Sequence, residues 1–423
     1  MNKKREKKSI KDVIKKTVLD SGLWDNNQRL THGFILSPDV YLLKKNRQKE
    51  LKEIALALYD CLAGLGEIAA MTANPKITSG RTWGMIKRVL RTGIPRFYRD
   101  IQVLYPDFLP YICKVDFVEG TDGQFWITEI DGYNKHGLGY STLAARITKA
   151  IQPRAKTFPG VAKIISQAIK ELKSKANKLV LLYANQERFY LPEFLILKEE
   201  LDQQGINLLV VSEDKFKIKK HHHLFVDFPF LSNIKLRKSL VKLYQKGKIN
   251  FLIPPKPFFS SKALLALLKN NIQDKKLETI LKSQISSSSL KRIRKYIPET
   301  YLINKREKED YWQKLSQSGQ FLIKETFSSG SKGIIFSDEP HFNQVLEKAC
   351  CSGYAFVLQK RIINASNKFS YFTENENLKQ DKWFSRLTIH FAPKQIASMV
   401  ITARKNKKVH GALDCLQIGT ILE

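Results

Sequence analysis

The sequence predicts a mixed α/β (α+β) fold, and three stretches predict it. Residues 111–131 hold two runs of β-branched and aromatic residues around Gly120-Thr121-Asp122-Gly123, the pattern of a β-hairpin and its turn. Residues 178–212 read strand–helix–strand. The runs KLVLLYAN and INLLVVSED are continuously apolar, as strands covered on both faces are. Two long strands, Trp383–Phe391 and Gln395–Arg404, come near the end.

The totals bound the function. The 423 residues suffice for about two or three compact units. A hydrophobic content of 43% supports a sizeable core. Seventy-two basic against 40 acidic residues give a net charge of +32, which points to an anionic partner: nucleotide, nucleic acid, anionic membrane or acidic substrate. The cysteines, at 61, 113, 350, 351 and 415, match no metal motif or disulfide framework and read as reduced, cytoplasmic thiols. The basic N-terminus is followed by no apolar run, so it does not read as a secretory signal. No stretch reads as a membrane helix, and the expectation is a soluble protein without a membrane partner.

Taken in order, residues 1–30 are charged and read as a frayed helical arm. In 47–71, Leu51, Ile54, Leu58, Leu62 and Leu65 recur at helical spacing. Residues 81–104 interleave six basic residues with apolar ones. That pattern is either a basic helix over an anion or the wet face of a core helix. After the hairpin, three glycines in 132–139 precede a helix from about Thr142, whose N-terminus could attract an anion. Gly205 stops the helix of the strand–helix–strand unit, and no GxGxxG is present. His221, His222 and His223 are adjacent and flanked by Lys219 and Lys220, which argues against a zinc site. Strands are expected at Leu224–Phe230 and Asn250–Ile253, a short helix after Lys262, and a linker at Ser286–Ser289. A helix at Lys305–Ser316, strands at Phe321–Glu325 and Ile334–Phe336, a helix at His341–Cys350 and a strand at Tyr354–Leu358 follow.

The hairpin carries the chemistry of the first half. With a four-residue loop, Asp116 pairs with Ile127 and Lys114 with Glu129. Alternation then sets Lys114, Asp116, Glu129 and Asp131 on one face, and Cys113, Val115, Phe117, Trp126, Thr128 and Ile130 on the other. Three carboxylates around one ammonium repel unless a cation joins them, and Mg²⁺ with oxygen ligands suits such a face. The bland alternative is a solvated hairpin face.

In the second half, Lys324 precedes the small-residue loop 326–333. Backbone N–H groups of Ser328, Ser329, Gly330, Ser331 and Gly333 could cradle phosphate there, with Lys332 adding charge. A plain hairpin loop is the alternative. Leu358-Gln359-Lys360, followed by Arg361, runs from apolar to polar like a hinge that offers backbone groups to adenine. Arg386 and Arg404 can meet anions bidentately.

This order of carboxylate hairpin, α/β unit, lysine with small-residue loop, hinge and arginine strands resembles circularly permuted ATP-grasp ligases of the eukaryotic-type glutathione synthetase and glutathionylspermidine synthetase families. The resemblance is carried by about 110–140 and 320–415. It implies that Asp116, Glu129 and Asp131 hold Mg²⁺ and that Lys114 faces phosphate or substrate. Lys262 and Lys324 stand where the family has its ATP lysines. Leu358, Gln359 and Lys360 are similar to its hinge, and Arg404 and Lys405 to its substrate arginine and a further ATP lysine. Asp131 replaces the family's asparagine, and Ser328, Ser329 and Gly330 occupy loop positions where the family often has a metal-binding glutamate. The implied division is a helical region at 1–105, hairpin and helix at 106–175, a substrate domain at 176–260 and a nucleotide core at 261–423. The expected activity is an ATP-dependent carboxylate–amine ligase with small-molecule acid and amine substrates. A nucleotide-binding pseudoenzyme and a basic nucleic-acid-binding protein are the alternatives.

Overall fold

Three sheets organise the computed structural model, which describes the chain apart from residues 1–8, 23–34, 105–108, 134, 173–177, 219–222, 229–230, 305–306, 308, 318–319, 329–332, 374, 376 and 412–413. The chain begins with α1 (Ile10–Asp20), β1 (Tyr41–Leu43), α2 (Lys45–Met71), α3 (Arg81–Val89) and α4 (Arg96–Arg99). The hairpin is β2 (Cys113–Glu119) and β3 (Phe125–Asp131), followed by α5 (Leu138–Ile151) and α6 (Val161–Glu171). The middle unit is β4 (Lys178–Tyr183), α7 (Leu191–Gln203), β5 (Leu208–Ser212), β6 (His223–Phe225), α8 (Ile234–Gln245) and β7 (Ile249–Phe251). Helices α9 (Ala263–Lys269), α10 (Lys275–Gln284) and α11 (Ser287–Tyr296) lead to β8 (Thr300–Leu302), α12 (Glu309–Gln317), β9 (Phe321–Glu325), β10 (Ile334–Phe336), α13 (Phe342–Cys351) and β11 (Phe356–Lys360). The last strands are β12 (Ser366–Phe372), β13 (Leu378–Ala392), β14 (Gln395–Arg404) and β15 (Cys415–Leu422).

The large sheet runs β1-β15-β14-β13-β2-β3, with β12 on the first half of β13. Its edge pair sets Tyr41 beside Thr420 and Leu43 beside Leu422, so an early and a late segment share one sheet. One face packs on α2. Leu51, Ile54, Leu58, Leu62 and Leu65 share a core with Phe117, Ile127, Leu387 and Ile389. By length and composition α2 is apolar enough to cross a membrane, which corrects the expectation that no stretch is. Its leucine, isoleucine and alanine residues raise the mean hydropathy, and its leucine side is committed to this core. The other face of β13 and β2 is polar and opens on the cleft described below.

The middle sheet, β5-β4-β6-β7, is all parallel, as the apolar runs predict. The third sheet, β10-β9-β11-β8, is antiparallel. Gly205 ends α7 at φ +74°, a left-handed turn that glycine takes without a Cβ penalty.

Several expectations change. Residues 10–20 are a docked helix, not a frayed arm: Ile14 and Val18 are buried against Leu143 and Ile147 of α5. Ser286–Ser289 is a helix start rather than a linker, because the Ser286 hydroxyl accepts the Ser289 N–H and caps α11. Helix α5 begins at Leu138, four residues before Thr142. Strands β1, β8, β12 and β15 were not expected: β1 and β8 have three residues each and β12 lies in polar sequence, whereas β15 is an apolar run, CLQIGTIL, that the reading of the tail passed over. The basic residues of 81–104 are the wet side of α3 and α4, whose Trp83, Ile86, Val89 and Tyr98 are buried. His223 is buried beside Phe216 and Phe225, while His221 and His222 lie outside the described residues.

Candidate active site

The hairpin meets itself two residues away from the simple expectation. Lys114 faces Asp131 and Asp116 faces Glu129, while Phe117 faces Ile127. Thr128 is the extra residue of a β-bulge, and its hydroxyl bonds the Asp116 carbonyl at 3.1 Å. The bulge reverses the alternation below it. Phe125 and Ile127 point into the core, and Trp126 and Thr128 do not, which corrects the expected core face. Lys114, Asp116, Glu129 and Asp131 nevertheless all line one cleft of about 490 Å³.

Each carboxylate on this face has its own cation. Asp131 pairs with Lys114 at 3.1 Å, Asp116 with Arg386 at 3.2 Å and Glu129 with Lys262 at 3.2 Å. Thr388 donates to Asp116 at 2.7 Å, and the Ser260 hydroxyl bonds Asp131. Burial pushes Asp116 up, but Arg386, Lys114 and Thr388 outweigh it and hold the carboxyl below its ordinary value. Burial pulls Lys114 down, and the three carboxylates overcome this and raise it. The sequence shows one ammonium among the carboxylates; the other two cations arrive from residues 262 and 386. Among the described residues no three His, Cys, Asp or Glu side chains stand close enough to hold a metal ion. Asp116, Glu129 and Asp131, the expected Mg²⁺ ligands, all line this cleft, and in this structure each is paired with a cation.

The lysines converge as the sequence suggested. Lys262, at the start of α9 and 3% exposed, also donates to the Ser328 carbonyl at 2.6 Å, so it ties the hairpin to the small-residue loop. Lys324 on β9 donates to the Thr128 carbonyl at 2.9 Å, almost 200 residues away in sequence. Burial and the Lys262 charge lower its pKa to about 8, against the pull of Glu129 and Asp116. Ser328 lines the cleft; Ser329 and Gly330 lie outside the described residues. Arg386 lines the cleft with a buried Nε that has no partner among the described residues.

Other expected residues sit differently. Leu358 is buried in the core of the antiparallel sheet. Strand β11 lies between β9 and β8, so the backbones of Leu358, Gln359 and Lys360 pair with neighbouring strands instead of facing adenine. Gln359 and Lys360 line the cleft with Arg361, Ile362 and Asn364, which moves any exposed hinge past the strand end. Arg404 is held by Asp414 at 2.7 Å and by the Lys408 carbonyl at 2.8 Å. It thereby braces the segment whose Lys407 and His410 line the cleft. Lys405 is exposed, pairs with Asp381 at 2.6 Å and is not among the cleft residues.

Sequence reasoning missed the other end of the cleft. Lys135, 1% exposed, pairs with Glu187 at 2.9 Å and Asp227 at 3.1 Å. His136 contacts Glu187 at 3.2 Å and lies against the Tyr190 ring at 3.8 Å. Burial raises Glu187, but Lys135 and His136 outweigh it and lower its pKa to about 2. Burial raises Asp227 to about 6. Glu193 accepts the Gly137 N–H at the head of α5, and burial raises its pKa to about 8. This protein carboxyl, rather than an external anion, meets the helix N-terminus. Gly139 is needed for packing, since a Cβ there would collide with the Glu193 carbonyl. Only the Gly-rich run 132–139 hinted at this end.

The cleft thus has two unlike ends. Lys262, Lys324, Lys360, Arg361 and Arg386 make one strongly cationic and suited to phosphate oxygens. At the other, charges are paired internally and flanked by Tyr140, Tyr190 and His136.

Comparison with solved structures places this fold. A glutathione synthetase like-effector from Globodera pallida, solved in its apo form, is similar over 99% of this chain and 98% of its own, with a TM-score of 0.51 and 11% identity. A protein of Methylobacillus flagellatus described as a gamma-glutamylcysteine synthetase has a TM-score of 0.35 and 10% identity, over 79% of this chain and 86% of that one. A RimK domain ATP-grasp protein of Sphaerobacter thermophilus has a TM-score of 0.24 and 12% identity, over 57% and 89%. No protein-family model and no curated protein matches the sequence. The chain therefore has an α+β fold similar to that of a glutathione synthetase like-effector. At 11% identity the likeness is one of fold.

Proposed function

We propose that the chain is an ATP-dependent carboxylate–amine ligase working through an acylphosphate, with the ATP-grasp elements in circularly permuted order. The observation that carries this reading is the meeting of Lys114, Lys262, Lys324 and Arg386 in one cleft, although they come from segments up to about 270 residues apart. In this reading residues 106–175 and 261–423 form the nucleotide core, 176–260 the substrate domain and 1–105 a helical cover. The triphosphate lies at Lys262, Lys324 and the 328–333 loop, beside Gln359 and Lys360. Its γ-phosphoryl group passes to an oxygen of the acid's carboxylate, and ADP leaves. The amine nitrogen then attacks the carbonyl carbon, the C–O bond to phosphate breaks, inorganic phosphate leaves and the nitrogen loses a proton. Lys114 and Arg386 neutralise the transferring phosphoryl and the substrate carboxylate; little else is asked of the protein beyond positioning and charge. Asp116, Glu129 and Asp131 would hold Mg²⁺, which would help neutralise the phosphates, since Mg²⁺ typically takes one or two carboxylates and completes its shell with phosphate oxygens. In this structure each of the three is engaged by a cation.

That engagement favours a second reading, a nucleotide-binding protein that keeps the fold without the chemistry. Phosphate release from ATP, with mixed amino acids and polyamines and with or without Mg²⁺, separates the two. The ligase reading expects release that needs both substrates and disappears in Lys262→Met. ATP binding without substrate-dependent release supports the second reading.

A further inference from the structure

His390 lies on β13 two residues beyond Thr388 and four beyond Arg386, so all three side chains share the cleft face. It is 1% exposed. Its Nδ1 is 2.9 Å from the Ser141 hydroxyl of α5 and 3.1 Å from the Ser398 hydroxyl of β14. The Ser141 hydroxyl has one proton, and it stands 2.9 Å from the Gly137 carbonyl, which can only accept. The arrangement that satisfies all three contacts puts the Ser141 proton on that carbonyl and makes Nδ1–H the donor to both serines. Nε2 then carries a bare lone pair, and it has no partner among the described residues. Burial, with the charge of Lys114, lowers the imidazole pKa to about 3, so the ring stays neutral.

His390 lines the cleft with Gly137 and Lys114. A Cβ at residue 137 would be in van der Waals contact with Nε2 at 3.4 Å, and Gly137 adopts φ +94°, a conformation that side chains rarely share. Two neighbours set what Nε2 can meet. A carboxylate would oppose the lone pair, and a cation would meet the ammonium of Lys114, which its carboxylate neighbours keep charged. A neutral N–H or O–H fits both.

We propose that His390 Nε2 is a specificity-determining acceptor, which takes a hydrogen bond from a neutral hydroxyl or amide N–H of the substrate at the end of the cleft away from Lys324. The inference rests on the ligase reading for calling that ligand a substrate. A role limited to tying β13 and β14 to α5 accounts for Nδ1 but leaves a buried acceptor unpaired, which native interiors avoid.

Side-chain ¹⁵N spectra of the full-length chain test it, with His390 assigned through His390→Gln. At pH 7 the expected pattern is a protonated Nδ1 and a bare Nε2. Titration with acetamide should move Nε2 toward the protonated direction and saturate, while acetate should not. The Ser141→Ala/Ser398→Ala pair removes what holds the proton on Nδ1, so the ring should change tautomer and the preference should turn to acetate. An Nε2–H in the wild type, or an Nε2 signal unmoved by acetamide, overturns the proposal. These spectra contain no ATP, so a chain that never releases phosphate defeats the ligase reading alone. Where release is found, His390→Phe should raise KM for the donor-bearing substrate about tenfold and leave KM for ATP within about twofold; a merely structural role moves both together.

Discussion

At one end of the cleft, Lys262, Lys324 and Arg386 bring in donors that the protein only partly uses. At the other, Lys135, His136 and Glu187 are locked into one another. Lys324 spends one of its three N–H groups on the Thr128 carbonyl, and the Nε of Arg386 has no acceptor among the described residues. Lys135 is flanked by two carboxylates, and Glu187 also accepts the Ala184 N–H at 2.8 Å. Both ends bury charge, but one keeps unused hydrogen-bond donors and the other is closed on itself. Deep burial alone is thus a poor guide to binding residues; unused hydrogen-bonding capacity is a better one.

Mutations should fall on opposite sides of this contrast. Glu187→Gln removes half of the charge that balances Lys135, so the largest effect expected is on folding. Breaking a buried pair costs roughly 3 kcal/mol. Urea unfolding should show that loss, and ATP affinity measured well below the transition should not change. Lys262→Met should act on binding. Hydrogen bonds to charged groups are worth about 1.5–3 kcal/mol, so ATP affinity should fall roughly 100-fold in titration calorimetry, while loss of the Glu129 pair and the Ser328 bond lowers stability as well.

The pH dependence of binding sharpens the cationic end. Lys324 titrates near 8 in the free protein, and bound phosphate favours its protonated form. Its contribution is complete below pH 8 and is lost as pH rises through that value. Affinity for ADP should drop about tenfold from pH 7 to 9. Lys324→Met should bind more weakly and flatten the profile; an unchanged slope would move the proton to another group. The smallest effect is expected from Lys405→Ala. An exposed pair such as Lys405–Asp381 contributes roughly 0–1 kcal/mol, and ATP affinity should stay within about twofold.

The sequence displays much of the cationic end and little of the other, for physical reasons. Strands β9 and β10 are read from composition at their observed bounds, and the hairpin residues Lys114, Asp116, Glu129 and Asp131 do share a cleft. The bulge at Thr128 leaves no trace in residue type, yet one extra residue shifts the register and turns Ile127 inward. The cations that neutralise Asp116 and Glu129 come from Arg386 and Lys262, and no local pattern predicts a partner that far along the chain. Ser286–Ser289 has the composition of a linker and of a helix cap alike; only the Ser289 N–H decides between them. Leu358-Gln359-Lys360 reads correctly as a strand end, but whether its backbone is free depends on β8, whose three residues carry almost no signal. Lys135, Glu187 and Asp227 lie on three separate segments, and none carries a motif.

The most direct test of the central claim is titration calorimetry of ATP into the full-length chain in EDTA, repeated with Mg²⁺ and with the Lys262→Met/Arg386→Met variant. The claim is that protein cations make the phosphate site. It predicts one ATP per chain already in EDTA, and loss of binding in the double variant with or without Mg²⁺. Binding that appears only with Mg²⁺, or that survives the double variant, would contradict it.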